Sequence, residues 1–233
     1  MAHSLKCRRK YGRRGISGGG EPDATTRGKI LEVYGKRPLS FEANEGQVDN
    51  RVKFLSRGQG YVLFLTLNEA VLNLNGPDHE TAVVRLQVVG GNRHPRVAGE
   101  GPLSMRSNYF LGNAPSQWRT AISSYARVRY ESVYPGVDMV YRGNQRQLEY
   151  DFLVAPHADP KRIRLAFHGA DTITICPQGE LILHTAHGNV VQHAPEIYQE
   201  VEGRRKHVDG RYILLDPPIM LALRWVSMIG LDR

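Results

Sequence analysis

A chain of 233 residues, 41% hydrophobic and 23% charged, is long enough to bury one sizeable core and too apolar to be disordered throughout. Its net charge of +8 is concentrated at the start: residues 1–28 hold seven basic and two acidic side chains, a net +5 that leaves +3 for all the rest. The remainder is close to neutral, so nucleic-acid binding by a folded domain is not supported.

Cys7 and Cys176 are far apart, and neither belongs to a CxxC pair, so neither a disulfide framework nor a cysteine metal site is indicated. No run of 18 apolar residues is present, so no membrane span is expected. The pairs Arg8-Arg9 and Arg13-Arg14 invite a twin-arginine export signal, but Gly15 to Asp23 supply no apolar region behind them. Residues 1–29 are therefore read as a disordered basic leader.

Ordered sequence is expected from residue 30. Val52–Arg57 alternates as a strand, Gly58-Gln59-Gly60 makes a tight connection, and Tyr61–Thr66 completes a hairpin. Glu69–Leu74 and Thr81–Val89 follow as strands, closed by turn residues at Asn75–Asp78 and Gly90–Pro95. Between Pro95 and Tyr130 the strand signal weakens, and Ser107–Thr120 reads as an irregular loop pinned by its aromatics. Tyr125–Tyr130 alternates again and runs into the turn Tyr134-Pro135-Gly136. The stretch Tyr130–Phe167 organises the chain: Val137–Tyr141 and Leu148–Val154 form a hairpin, and Ile163–Phe167 adds a third strand. Short strands at Thr172–Ile175, Glu180–Thr185, Asn189–His193, Glu196–Val201 and Arg211–Leu215 complete the pattern. No window has sustained helical periodicity, so the expected fold is all-β, an antiparallel β-sandwich of short strands and hairpins.

Several of these segments carry a family resemblance: Pro38–Gln47 (PLSFEANEGQ), Val52–Gly58, Ser107–Phe110, Trp118–Thr120, Val133–Asp138 and Tyr141–Val154. In collinear order they resemble the uncharacterised β-rich domain at the N-terminus of bacterial SBBP-repeat proteins. The resemblance implies an exported or cell-surface protein in which this domain precedes seven-bladed β-propeller repeats, and it implies no activity and no cofactor. The family pattern has an export signal ahead of the domain, which the basic leader here lacks. Beyond Leu215 that pattern continues toward the repeats, whereas residues 216–233 differ from it. The expected organisation is thus a leader (1–29), a β-sandwich domain (30–215) and an atypical tail (216–233) from a truncated or frame-shifted gene copy.

The residues offer three kinds of chemistry. Asp138, Glu149 and Asp151 lie in the central hairpin, where two carboxylates could divide acid and base roles on a glycan, but alternation places Glu149 and Asp151 on the solvent face. His168, His184, His187 and His193 have no recognised ligand spacing and no cysteine partner for zinc. Tyr109, Trp118, Arg119 and Asn144 are the candidate ligand-binding residues, since aromatic faces beside guanidinium and amide donors suit a sugar. The same aromatics also serve to fill a core or pin a loop. The expected function is a non-catalytic structural or adhesion module of an exported bacterial cell-surface protein, partnered by a β-propeller or other surface domains. A carbohydrate-binding module and a divergent glycan-active enzyme are the alternatives.

Overall fold

The structure, a computed structural model, describes residues 2–9, 39–58, 60–75, 81–144, 147–201, 203–215 and 220–225. It is nearly all β, and every strand pairing is antiparallel. In chain order the strands are β1 (Ala2–Arg9), β2 (Phe41–Ala43), β3 (Phe54–Gly58), β4 (Tyr61–Leu65), β5 (Glu69–Asn75), β6 (Thr81–Val88), β7 (Arg96–Tyr109), β8 (Arg119–Tyr134) and β9 (Val137–Asn144). Then come β10 (Gln147–Val154), β11 (Arg164–His168), β12 (Thr172–Ile175), β13 (Leu181–Thr185), β14 (Gly188–Gln192), β15 (Glu196–Val201), β16 (Arg204–His207), β17 (Gly210–Leu215) and β18 (Met220–Trp225). Among the described residues no helix is long and apolar enough to cross a membrane.

One ladder runs from β10 through β9 to β8, then through β2, β3, β4, β5 and β6 to β11, β18 and β17. A ladder of this length twists and curls, because each strand is rotated against its neighbour. The curled sheet folds over a single core. Phe41, Leu63, Leu65 and Val84 from β2–β6 share it with Val128, Met139 and Phe152 from β8–β10, with Leu165 of β11, and with Leu181 and Leu183 of β13. Strands β12, β13 and β14 form a meander, and β15 and β16 form a hairpin.

Three expected segments stand apart from the rest. Where the strand signal weakens, from Pro95 on, the structure has a long hairpin, with β7 of 14 residues and β8 of 16, and the irregular loop expected at Ser107–Thr120 narrows to its tip. Alternation reports burial, and β7 buries no residue, so its strand character rests on backbone pairing to β8 that leaves no apolar rhythm. Only Phe110–Trp118, at its tip, is irregular. Of the expected leader, the structure describes only the backbone of Ala2–Arg9, which runs antiparallel to β10, β14 and β15; residues 10–29 lie outside the described residues. In the expected tail, Met220–Trp225 is flanked by β17 and β11, and the other tail residues lie outside the described ones.

Strand β11 joins the β6 side of the sheet to β18, and the chain leaves it through Gly169 at φ +84°, where a Cβ would stand 1.9 Å from the Val83 carbonyl oxygen. Gly90 has a similar φ of +68° but open space around it. Gly90→Ala should therefore cost only the left-handed backbone penalty, about 1–2 kcal/mol. Gly169→Ala must also push two backbones apart and should cost well over ~2 kcal/mol, seen as a larger drop in the urea midpoint.

Candidate functional site

The segment Ala43–Val52 leaves β2 as a loop that latches onto itself. Asn44 Nδ2 donates to the carbonyls of Asp49 (2.8 Å) and Val52 (2.9 Å), and its Oδ1 accepts from the Gly46 N–H (3.0 Å). Gln47 closes the near side by donating to the Ala43 carbonyl (2.6 Å) and accepting from the Glu45 N–H (2.7 Å). The far end is pinned to β4 where the Lys53 N–H donates to the Leu65 carbonyl at 2.7 Å. Two amide side chains thus replace the cross-strand partners that the loop backbone lacks.

The latched loop forms one wall of an open groove of about 870 Å³ over the outer face of β4–β6. Phe64 and Val71 provide its apolar floor, and the turn at Asn68 and the side chain of Gln87 close it opposite. Two ion pairs line it. Arg51 and Asp49 meet at 2.9 Å, and that bidentate hydrogen bonding holds the Asp49 carboxyl down at about 2. Arg85 and Glu69 meet at 2.7 Å across neighbouring strands.

A second surface lies at the tip of the β7–β8 hairpin. The Trp118 indole N–H donates to the Gly112 carbonyl at 3.2 Å, and its ring meets Phe110 edge to face with centroids 5.1 Å apart. Arg119 ties the tip down by donating to the carbonyls of Ser116, Trp118 and, across to the latched loop, Glu45. The Asn108 side chain accepts from the Ala121 N–H, at a position where Ala121 holds φ +60°. Phe110 is 63% exposed and Trp118 37%, Leu111 is exposed next to Phe110, and Met105 is exposed further back on β7.

Three of the four expected ligand-binding residues thus come together here. Tyr109 faces Arg119 across the ladder, with Trp118 next in the chain. Asn144 does not join them. It ends β9, which runs beside β8 only from Arg127 onward, well back from the tip. Tyr109 is also committed: its hydroxyl donates to Glu42, and the Arg57 guanidinium sits 5.3 Å from its ring centre. Burial, followed by the Glu42 carboxylate, pushes the phenol up.

The central carboxylates are structural in their contacts. Asp138 holds the Arg129 guanidinium and accepts from the Ser132 N–H at 2.6 Å, bracing the bulge where β8 meets β9. Glu149 is fully buried, not on the solvent face expected of it, because both faces of β10 are covered. Arg142 lies directly across the ladder and reaches Glu149 at 3.2 Å and Asp151 at 2.6 Å, so one guanidinium occupies both carboxylates. Burial opposes the Arg142 charge, and the two carboxylates outweigh it, so its pKa is raised. Elsewhere, His184 bonds Thr174 and Asn189, and His193 bonds Glu180 at 2.6 Å. Among the described residues no group of three or more His, Cys, Asp or Glu could hold a metal ion.

The groove wall was the feature least visible in the sequence, where Asn44-Glu45-Gly46-Gln47 reads only as a polar turn. The Asx-type pairing of Asn44 with Gly46 two residues on was the available signal. Asn44→Ala strands two carbonyls and one N–H of the loop and should cost ~1–3 kcal/mol in urea unfolding, while limited proteolysis within residues 45–51 accelerates.

No curated protein and no solved structure matches the chain. A family model does match, over residues 41–224, from the first residue of β2 through most of β18, and so takes in the curled sheet, the latched loop and the hairpin tip. The chain belongs to the family described as Domain of unknown function (DUF7948).

Proposed function

We propose that the domain is a non-catalytic structural or adhesion module of an exported bacterial cell-surface protein, set ahead of β-propeller repeats, and that it meets its neighbour through the β7–β8 tip. The observation that carries this reading is the exposed Phe110–Trp118 pair. Four of the seven exposed large apolar side chains among the described residues, Met105, Phe110, Leu111 and Trp118, lie on this one hairpin. Aromatic side chains gathered on one exposed surface are the usual anchors of a protein contact. The bonds from Asn108, Trp118 and Arg119 order the tip in advance, which lowers the entropy lost on docking.

Carbohydrate binding is the second reading, and at the tip the polar groups argue against it. Arg119 is spent on backbone carbonyls and Tyr109 on Glu42, which leaves the rings without the free donors that would orient a sugar.

The measurement is binding of the full chain to immobilised SBBP-type β-propeller repeats by surface plasmon resonance, with protease shaving of intact cells to locate the protein. Phe110→Ser and Trp118→Ala should each weaken binding by at least about tenfold, as buried aromatic anchors do, with an unchanged melting temperature. Absence of binding by the unaltered chain, or affinity indifferent to both substitutions, would remove the tip from the interface.

A further inference from the structure

We propose that the groove beneath the latched loop is a saccharide-binding site, separate from the hairpin tip, and that it takes an extended oligosaccharide bearing carboxylates. Its volume of about 870 Å³ falls in the range of small-ligand sites and is open enough for a chain to lie along it.

The argument rests on which polar groups are already used. Asp49 is paired with Arg51 and Glu69 with Arg85, so these four charges cancel. The side-chain amides of Asn50, Asn68 and Gln87 line the same groove and make no hydrogen bond to the described protein. Each amide offers both donors and an acceptor, which is what vicinal hydroxyls require. Phe64 and Val71 between them supply the apolar surface against which the C–H face of a pyranose packs. Lys53 is the remaining charge. It has no carboxylate partner among the described residues, and it gives the groove a net positive charge that favours a uronate over a neutral sugar.

Preorganisation is the second, independent observation. The wall carrying Asn50 and Arg51 is held by the Asn44 bonds, and the facing turn by Thr66, whose hydroxyl accepts from the N–H groups of Asn68 (3.2 Å) and Glu69 (3.1 Å). The backbone of both walls is thus ordered in advance, and the cost left on binding is that of fixing the amide side chains.

The test is an array of immobilised oligosaccharides holding neutral gluco- and manno-oligosaccharides alongside oligouronates, probed with the full chain and followed by calorimetric titration of hexagalacturonate and cellohexaose. The expected result is retention of oligouronates, tighter binding of hexagalacturonate than of cellohexaose, and loss of that preference in Lys53→Ala. Asn68→Ala combined with Gln87→Ala should weaken hexagalacturonate at least tenfold with an unchanged melting temperature, and Trp118→Ala should leave it within twofold. No retention of any saccharide, a preference for the neutral chain, affinity unmoved by the amide substitutions, or a loss produced by Trp118→Ala would each overturn the proposal. Failure here leaves the tip contact with propeller repeats intact, since that is read on a different probe with different variants.

Discussion

A β-strand has two hydrogen-bonding edges, and β8 must serve three partners with them. Along one edge it pairs with β7 over nearly its whole length, from Glu131 to Arg119. The other edge is divided: the half from Arg127 onward belongs to β9, and Ser124-Tyr125 belong to β2. This division lets the sheet leave the β8–β10 meander and return as β2–β6, so that two inner faces meet over one core. Bulges mark the places where β8 adjusts. Its register shifts against β9 between Tyr130 and Tyr134, where Ser132 holds φ +53° and Asp138 supplies the bond that the ladder omits.

Inside the fold, polar groups appear where they can fix register. The hydroxyl of Tyr150 donates to Gln192 (2.9 Å), Gln192 donates to Tyr212 (2.7 Å), and Tyr212 donates to the His193 carbonyl (3.0 Å). These residues come from β10, β14 and β17, and all three side chains are nearly fully buried. Slipping any of the strands by one residue would leave a buried amide or hydroxyl without a partner, a cost that an apolar core alone would not impose. The Arg142 brace works similarly between β9 and β10, by charge.

The architecture was legible wherever burial leaves an imprint on one face. Strands β3 to β6 and most of β9 to β15 fall close to the segments read as strands, because their apolar residues face the core. The sequence is silent where a strand buries none of its residues fully. Strand β7 buries no residue, and β16, Arg204-Arg205-Lys206-His207, is exposed at every position, so neither carries a hydrophobic period. Alternation misleads at Glu149 for the opposite reason, since a strand covered on both faces has no solvent side on which to place a carboxylate. Tyr109, Trp118 and Arg119 were recognisable as a group because they are near in sequence. The groove was not, because it joins Asn50, Asn68 and Gln87 from three segments, and only the pairing of β3, β4, β5 and β6 brings these together.

Strand β16 illustrates what a protein made almost wholly of strands must prevent. Among the described strands it pairs only with β15, and all four of its residues are exposed, the situation in which a strand edge can template pairing with another chain. Three consecutive cations occupy it, with Arg205 folded over the Tyr198 ring at 4.4 Å. A second molecule approaching edge to edge would bring its own Arg204, Arg205 and Lys206 against these, and mutual repulsion opposes the pairing. Part of the molecule's net positive charge is thereby placed where self-assembly into extended sheets would begin.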